Sequence, residues 1–384
     1  MQSNYKPIGN YIRLVDERNK GLKVKALLGL SISKQFIKSV ANIIGTDMEN
    51  YKIIRKSQFA CSTMQVRRDR KMPVALYTED EPAIISQAYP IFEIIDTDEL
   101  LPEYLMMWFT RSEFDREACF HAVGGVRGSL EWEDFCGMKL PIPSPEKQLE
   151  IVREYKVIQN RITLNNQLIS KLEETAQAIY KQWFVLQDKG ERIKINELVQ
   201  TQYGFTETAS SEIIGPKFLR ITDIAQKNID WQNVPYCKIS ENDFEKYRLK
   251  PGDIVVARTG ATAGYGKRLH KNFPDCVFAS FLVRLIPNDL KWNLFLGLTV
   301  DSPEYRDYIL SNAEGSAQPQ ANATLLASFE INKPDESKIL KFNRIIEPFF
   351  DSIEIHHLEN QKLEELKDLL LAKMTKVGTE KELV

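Results

Sequence analysis

From Ile151 onward, apolar or small residues recur at Tyr155, Ile158, Ile162, Ile169, Leu172, Ala176, Ile179 and Trp183. The steps alternate four and three, and Asn165 is the one polar break. Such a seam predicts a helix from about Pro145 to Phe184, about 60 Å long at about 1.5 Å per residue. A second seam runs through Phe342, Ile346, Phe349, Ile353, Leu363, Leu370 and Met374, interrupted by His356, Asn360 and Lys367. A heptad helix cannot hide its apolar edge alone and needs a partner. The nearest candidate partner for each is the other, packed antiparallel as a coiled coil.

The two seams share a register. An offset of 191 carries Ile162 onto Ile353, Leu172 onto Leu363, Ile179 onto Leu370, and the polar Asn165 onto His356. The same offset overlays "PIPSPEKQ" on "NKPDESKI", "AVGGVRGSLEW" on "AEGSAQPQANA", and "TRSEFDRE" on "DSPEYRDY". Farther upstream the offset drifts: "ENYKIIRKSQFACST" resembles "EKYRLKPGDIVVART", and "NYIRLVDERNKG" resembles "KFLRITDIAQKN". The chain therefore reads as a duplication with a pseudo-two-fold repeat.

Between the seams the pattern is mixed. "PIFEII", "KFLRITDI", "DIVVAR" and "FLVRLI" are strand-like, and "EYLMMWFTRSEFDREACF" reads as one amphipathic helix. The expected fold class is α+β, with two tandem globular domains each followed by a long helix. The boundaries are residues 1–143 for the first domain and 144–190 for the central helix. Residues 191–334 form the second domain and 335–384 the C-terminal helix.

Composition narrows the function classes. A chain of 384 residues with 43% hydrophobic and 27% charged residues has enough material for two or three real cores. A net charge of −2 argues against indiscriminate nucleic-acid binding but leaves room for a local basic patch. The cysteines at 61, 119, 136, 237 and 276 form no CxxC pair, which points to a reducing cytoplasm. There is no apolar signal core and no 18-residue apolar run, so a soluble cytoplasmic protein with no membrane partner is expected.

Several strings imitate catalytic motifs and fail on inspection. "NVPY" carries Val234 where amino-methyltransferases have proline, and no glycine-rich cofactor loop precedes it. "GATAGYGKR" has the wrong spacing for a phosphate loop, and Arg268 stands where a Ser or Thr would hold magnesium. "KPDESK" places its acids side by side at a helix start, with Asp335 as the cap. His356 and His357 lie in the second seam, and His121 and His270 have no evident ligand partners. No catalytic constellation, metal site or cofactor is expected.

What remains is chemistry suited to duplex DNA, where cations meet phosphates and forked or amide side chains read base edges. "QVRRDRKMP" supplies Arg67, Arg68, Arg70 and Lys71 between strand-like segments. The matching stretch of the second half, "ARTGATAGYGKRLHK", supplies Arg258, Thr259, Lys267, Arg268 and Lys271. A glycine-led loop follows in each half. It contributes Arg127, which can read guanine, and Gln318, Gln320 and Asn322, which can read adenine.

At this point the chain resembles the specificity subunit of type I restriction–modification enzymes. The resemblance is carried by "YRLKPGDIVVARTGATAG", "GSAQPQANATLLASFEINKP" and "LENQKLEELKDLLL", with diverged copies in the first half. It implies that each domain reads one half of a split DNA site across a gap set by the helices. It also implies that two methyltransferase subunits are recruited to methylate adenine, with ATP-dependent restriction subunits joining for cleavage. Chemistry would then belong to the partners, which fits the missing catalytic motifs. The alternatives are the recognition subunit of a related two-gene restriction enzyme, a self-contained DNA methyltransferase, or a coiled-coil scaffold that binds proteins.

Overall fold

The computed structural model describes residues 5–39, 46–124, 128–186, 190–226, 228–313 and 319–375. Arg127 and Gln318 lie outside them. The chain divides into two compact units, one formed by Met1–Ile162 with Gln361–Val384 and the other by Thr163–Asn360.

In the first unit the strands are β1 (Tyr5–Pro7), β2 (Ile12–Val15), β3 (Leu28–Leu30), β4 (Phe36–Lys38), β5 (Lys52–Ile54) and β6 (Phe59–Cys61). A one-turn helix α1 (Val66–Asp69) leads to β7 (Val74–Leu76), β8 (Ala83–Ile85) and β9 (Ile91–Ile94). Helices α2 (Pro102–Thr110), α3 (Ser112–His121) and α4 (Trp132–Gly137) then precede β10 (Lys139–Pro141) and the long α5 (Pro145–Tyr180). The main sheet has the order β2-β9-β6-β7, while β1 pairs with β10 and β5 with β8. The sequence 103–120, read as one helix, is two. Arg111 is extended at φ −71° and ψ 142°, and its guanidinium lies 4.2 Å from the Trp108 ring centroid. The break lets both Phe109 and Phe114 enter the core, where their rings sit 4.9 Å apart. Phe59 stacks on Phe92 at 5.0 Å in the same cluster.

The second unit continues with a π-helical turn at Lys181–Leu186, then β11 (Arg192–Lys194), β12 (Val199–Tyr203), β13 (Lys217–Leu219), α6 (Ile221–Ile224) and α7 (Glu241–Tyr247). Strands β14 (Ile254–Ala257), β15 (Gly266–Arg268), β16 (Cys276–Phe278) and β17 (Leu282–Pro287) follow. Helices α8 (Asn293–Val300), α9 (Pro303–Asn312) and α10 (Ala323–Leu326), strand β18 (Glu330–Asn332) and helix α11 (Glu336–Lys373) close it. Asp335 caps α11 by accepting from the Lys338 N–H at 3.1 Å. Pro348 lies on the exposed face of α11, so the carbonyl it leaves without a donor is turned toward water.

The main sheet here has the order β12-β17-β14-β15, and β11 pairs with β18. The four-stranded sheet and the β11–β18 pair repeat the plan of the first unit, whereas the β3–β4 hairpin has no counterpart among the second unit's sheets and the antiparallel β5–β8 pair answers to a parallel β13–β16 pair. The offset of 191 also carries buried residue onto buried residue: Tyr104 onto Phe295, Leu105 onto Leu296, Phe114 onto Tyr305, Phe135 onto Leu326 and Leu140 onto Ile331. One upstream match needs correcting. Sheet order gives β2 the counterpart β12, not "KFLRITDI". Residues 217–219 instead pair in parallel with β16, as Leu27 bridges in parallel to Ile84. The two segments share an apolar–Arg–apolar run, Ile12–Arg13–Leu14 and Leu219–Arg220–Ile221, and a short run of that kind does not say which strand it will pair with.

Within each unit the helical seams bury or half-bury their predicted residues. Ile158, Ile162 and Leu370 form one cluster in the first unit, with Tyr155 and Leu363 against it. In the second, Phe184 meets Phe342 edge-on at 5.0 Å. The buried Asn165 donates to Glu359 Oε2 at 3.0 Å and Asn360 Oδ1 at 2.9 Å. Residue 184 against 342 and 165 against 360 makes this part of the pairing antiparallel.

Candidate nucleic-acid interface

In each unit two loops meet at the open end of the β6–β7 or β14–β15 hairpin. In the first unit the buried Val66 and Met72 pin the hairpin loop to the core, which turns Arg67, Arg68, Arg70 and Lys71 to solvent. Gln65 and Arg70 hold left-handed backbone at φ 62° and 52°. The glycine-led loop closes on this segment: Leu130 N–H donates to Thr63 O at 2.9 Å, and Arg67 Nη1 donates to Gly124 O at 3.0 Å. The two segments are in close contact at Gly128, where a Cβ would stand 3.0 Å from Arg67 Cβ. Arg68 lies against Asp69 at 2.7 Å; each holds the other in its charged form, raising the arginine pKa and lowering the aspartate.

The second unit repeats the join. Ala321 N–H donates to Arg258 O at 2.8 Å, Gly260 N–H donates to Pro319 O at 2.9 Å, and Thr259 bridges to Gln320. Ala321 and Leu130 are 191 apart, so the donor of the inter-loop bond recurs at the same place, while its acceptor differs by one residue. Arg258 is half-buried beneath the exposed end of the loop, with its guanidinium carbon 5.2 Å from the Tyr203 ring centroid. Gln320 is exposed beside it.

Other predicted contacts carry structural tasks. Arg268 turns inward: its guanidinium carbon is 4.6 Å from the Phe350 ring centroid and Nη1 donates to Asn293 Oδ1 at 3.2 Å. Burial drives its pKa down to about 10, against the pull of Glu354, Asp351 and Glu347. A guanidinium enclosed this way cannot reach a groove. Lys271 is exposed but paired with Asp351 at 2.7 Å and Glu347 at 3.6 Å on α11. Thr259 is buried, and Asn322 caps α10 by accepting from Leu325 N–H at 2.8 Å. Lys267 is half-buried in β15. The loop pairing was readable because cations recur at matching places. Which cations face outward was not, because sequence does not say which face of β15 meets α11.

The structure adds residues that charge counting passed over. Phe281 is 56% exposed, and its carbonyl accepts from Arg258 N–H at 3.0 Å. Phe120, at 80%, stands on α3 next to the glycine-led loop of the first unit. Their signal was an aromatic out of phase with its neighbours: Phe114 and Ala118 mark the buried face of α3, and Phe120 is off it. Among the described residues no group of three or more His, Cys, Asp or Glu is placed to hold a metal, and no helix is long and apolar enough to cross a membrane.

Residues 191–365 match the family model of the type I restriction modification DNA specificity domain. That stretch is thus similar to a DNA-specificity domain. The specificity subunit of the HindI type I restriction enzyme from Haemophilus influenzae is 21% identical, over 76% of this chain and 80% of its own. The crystal structure of the S subunit of a type I system from M. genitalium superposes with a TM-score of 0.59 at 13% identity, covering 97% of this chain and 96% of that one, which shows a common fold. The HsdS subunit from Thermoanaerobacter tengcongensis matches at a TM-score of 0.36 and 15% identity, over 97% and 96%. Residues 191–365 thus match a type I DNA specificity domain, and the chain as a whole is similar to type I specificity subunits.

Proposed function

We propose that this subunit reads a split DNA sequence, one recognition domain per half-site, and that it supplies recognition while its partners supply chemistry. The observation that carries the reading is the repeated junction of hairpin loop and glycine-led loop, with exposed cations in the first copy and the half-buried Arg258 and Lys267 in the second. Phosphates need such cations for grip, and base edges need side chains held in fixed register beside them. We assign this work to Arg67, Arg68, Arg70, Lys71, Arg258 and Gln320. Lys267 and, outside the described residues, Arg127 and Gln318 complete the set.

The two long helices act as an antiparallel coiled-coil spacer that sets the gap between half-sites. Two methyltransferase subunits bind the assembled chain and methylate adenine using S-adenosylmethionine, and ATP-dependent restriction subunits add cleavage. The chain itself holds no cofactor. Methylome sequencing of cells expressing the chain with its partner methyltransferase tests this. The expected result is a motif of two short specific halves around a fixed unspecific gap. A continuous motif would refute reading by two heads.

A further inference from the structure

We infer that Asp115 and Arg306 are a matched pair of positioning residues, each holding the basic hairpin loop of its own unit in reading register. The inference rests on the proposed assignment of those loops to DNA. Helices α3 and α9 start 191 residues apart, and Asp115 and Arg306 are the fourth residue of each.

Asp115 is buried, at 7% exposed. Its Oδ1 accepts from Met72 N–H at 3.1 Å and faces Lys34 Nζ at 2.8 Å. Met72 directly follows Lys71, so the carboxylate grips the C-terminal end of the basic segment by its backbone. Arg306 does the corresponding job with opposite chemistry. Its Nη2 donates to Ala261 O at 3.4 Å, and its guanidinium carbon lies 3.9 Å from the Tyr265 ring centroid. The loop it holds lies flush with α9: at Gly264, φ +83°, a Cβ would approach Ile309 Cβ at 3.1 Å and Arg306 Cα at 3.4 Å.

The difference in charge follows from what each loop offers. The first loop presents a backbone N–H, which an anion satisfies best. The second presents a carbonyl and an aromatic face, which a planar cation satisfies together. One helix position therefore supports two unlike loops, and neither residue touches the DNA. Loss of the support lets the loop drift, and a forked base contact tolerates little drift.

The test is methylome sequencing of the full chain with its methyltransferase partner, comparing wild type, Arg306→Ala, Arg306→Lys and Asp115→Ala. The last is made with Lys34→Met, so that no buried ammonium is left alone. Both arginine variants should relax base preference about 10-fold in one half-site and leave the other half and the gap intact. Lysine should not rescue, because it lacks the plane that stacks on Tyr265. The Asp115 variant should relax the opposite half. If Arg306→Ala fails to assemble, Arg306→Lys decides the question. Unchanged halves in both sets, or equal loss of both halves in well-assembled complexes, would overturn the inference alone. A wild-type motif that is not split would overturn the underlying reading and this inference with it.

Discussion

Acidification should destabilise the second unit through one residue, His270. Its ring lies 5.9 Å from Phe350, centroid to centroid, between the chain positions of Arg268 and Lys271. Burial first, and then the cations Arg268, His357 and Lys267, push its pKa from 6.5 to about 3. The folded state thus keeps the imidazole neutral, while the unfolded chain takes up a proton as pH falls through 6.5. The unfolded state binds more protons between about 3 and 6.5, so stability rises with pH across that window and falls on acidification. At pH 5.5, one unit below the unfolded value, linkage gives a loss of about 1.4 kcal/mol relative to pH 8. The perturbation is His270→Phe, which keeps an aromatic ring against Phe350 and removes the titration. Urea unfolding of both chains at pH 5.5 and pH 8.0 supplies the measurement. Carboxylates that titrate nearby cancel in the difference between the chains. Wild type should lose about 1.4 kcal/mol more than the variant between the two conditions. Equal losses would mean that the ring is protonated in the folded protein and that the burial argument is wrong.

Further expectations concern the candidate interface and its supports. Arg258→Ala should relax one half-site by about 1–3 kcal/mol of discrimination and leave the other readable, measured by methylation of substituted duplexes. Arg268→Ala, by contrast, should lower the urea midpoint of the second unit while the methylated motif stays unchanged; an altered motif at an unchanged midpoint would return Arg268 to the reading face. Gly204→Ala should cost about 3 kcal/mol in urea unfolding, since its Cβ would fall 2.2 Å from Ala279 O and meet only backbone that cannot give way. Tyr180→Phe removes a buried hydroxyl bonded to Thr299 Oγ1 at 2.9 Å and should cost about 1 kcal/mol in the same assay. Deleting the same whole number of turns from both long helices should change the unspecific gap in the methylated motif, and an unchanged gap would refute the spacer role.

The long helices, their seams and the repeat were legible in the sequence because each depends on local spacing. A period of alternating threes and fours has one conformation that buries it, and Ile158, Ile162, Ile353 and Phe342 are buried as that period requires. The offset of 191 then carried core onto core without reference to coordinates. Strand identity was less legible. "KFLRITDI" and "NYIRLVD" look alike because both carry an apolar–Arg–apolar run, and only pairing with β16 or β9 separates them. The break at Arg111 was hidden for a related reason: each half of that helix is amphipathic, and the angle between the halves depends on the core they share.

Of the candidate interface, the sequence determined that cations and glycine-led loops occur at matching places in both halves. Only the tertiary structure decided which of those side chains are available. Arg258 and Arg268 are chemically identical and ten residues apart, yet one lies by the surface loop beside Tyr203 and the other is enclosed against Phe350. The choice is made by α11, whose Phe350 lies 82 residues beyond Arg268. Composition and spacing determine what a segment can do. Burial is set by whatever packs over it, and for a non-local fold that information lies elsewhere in the chain.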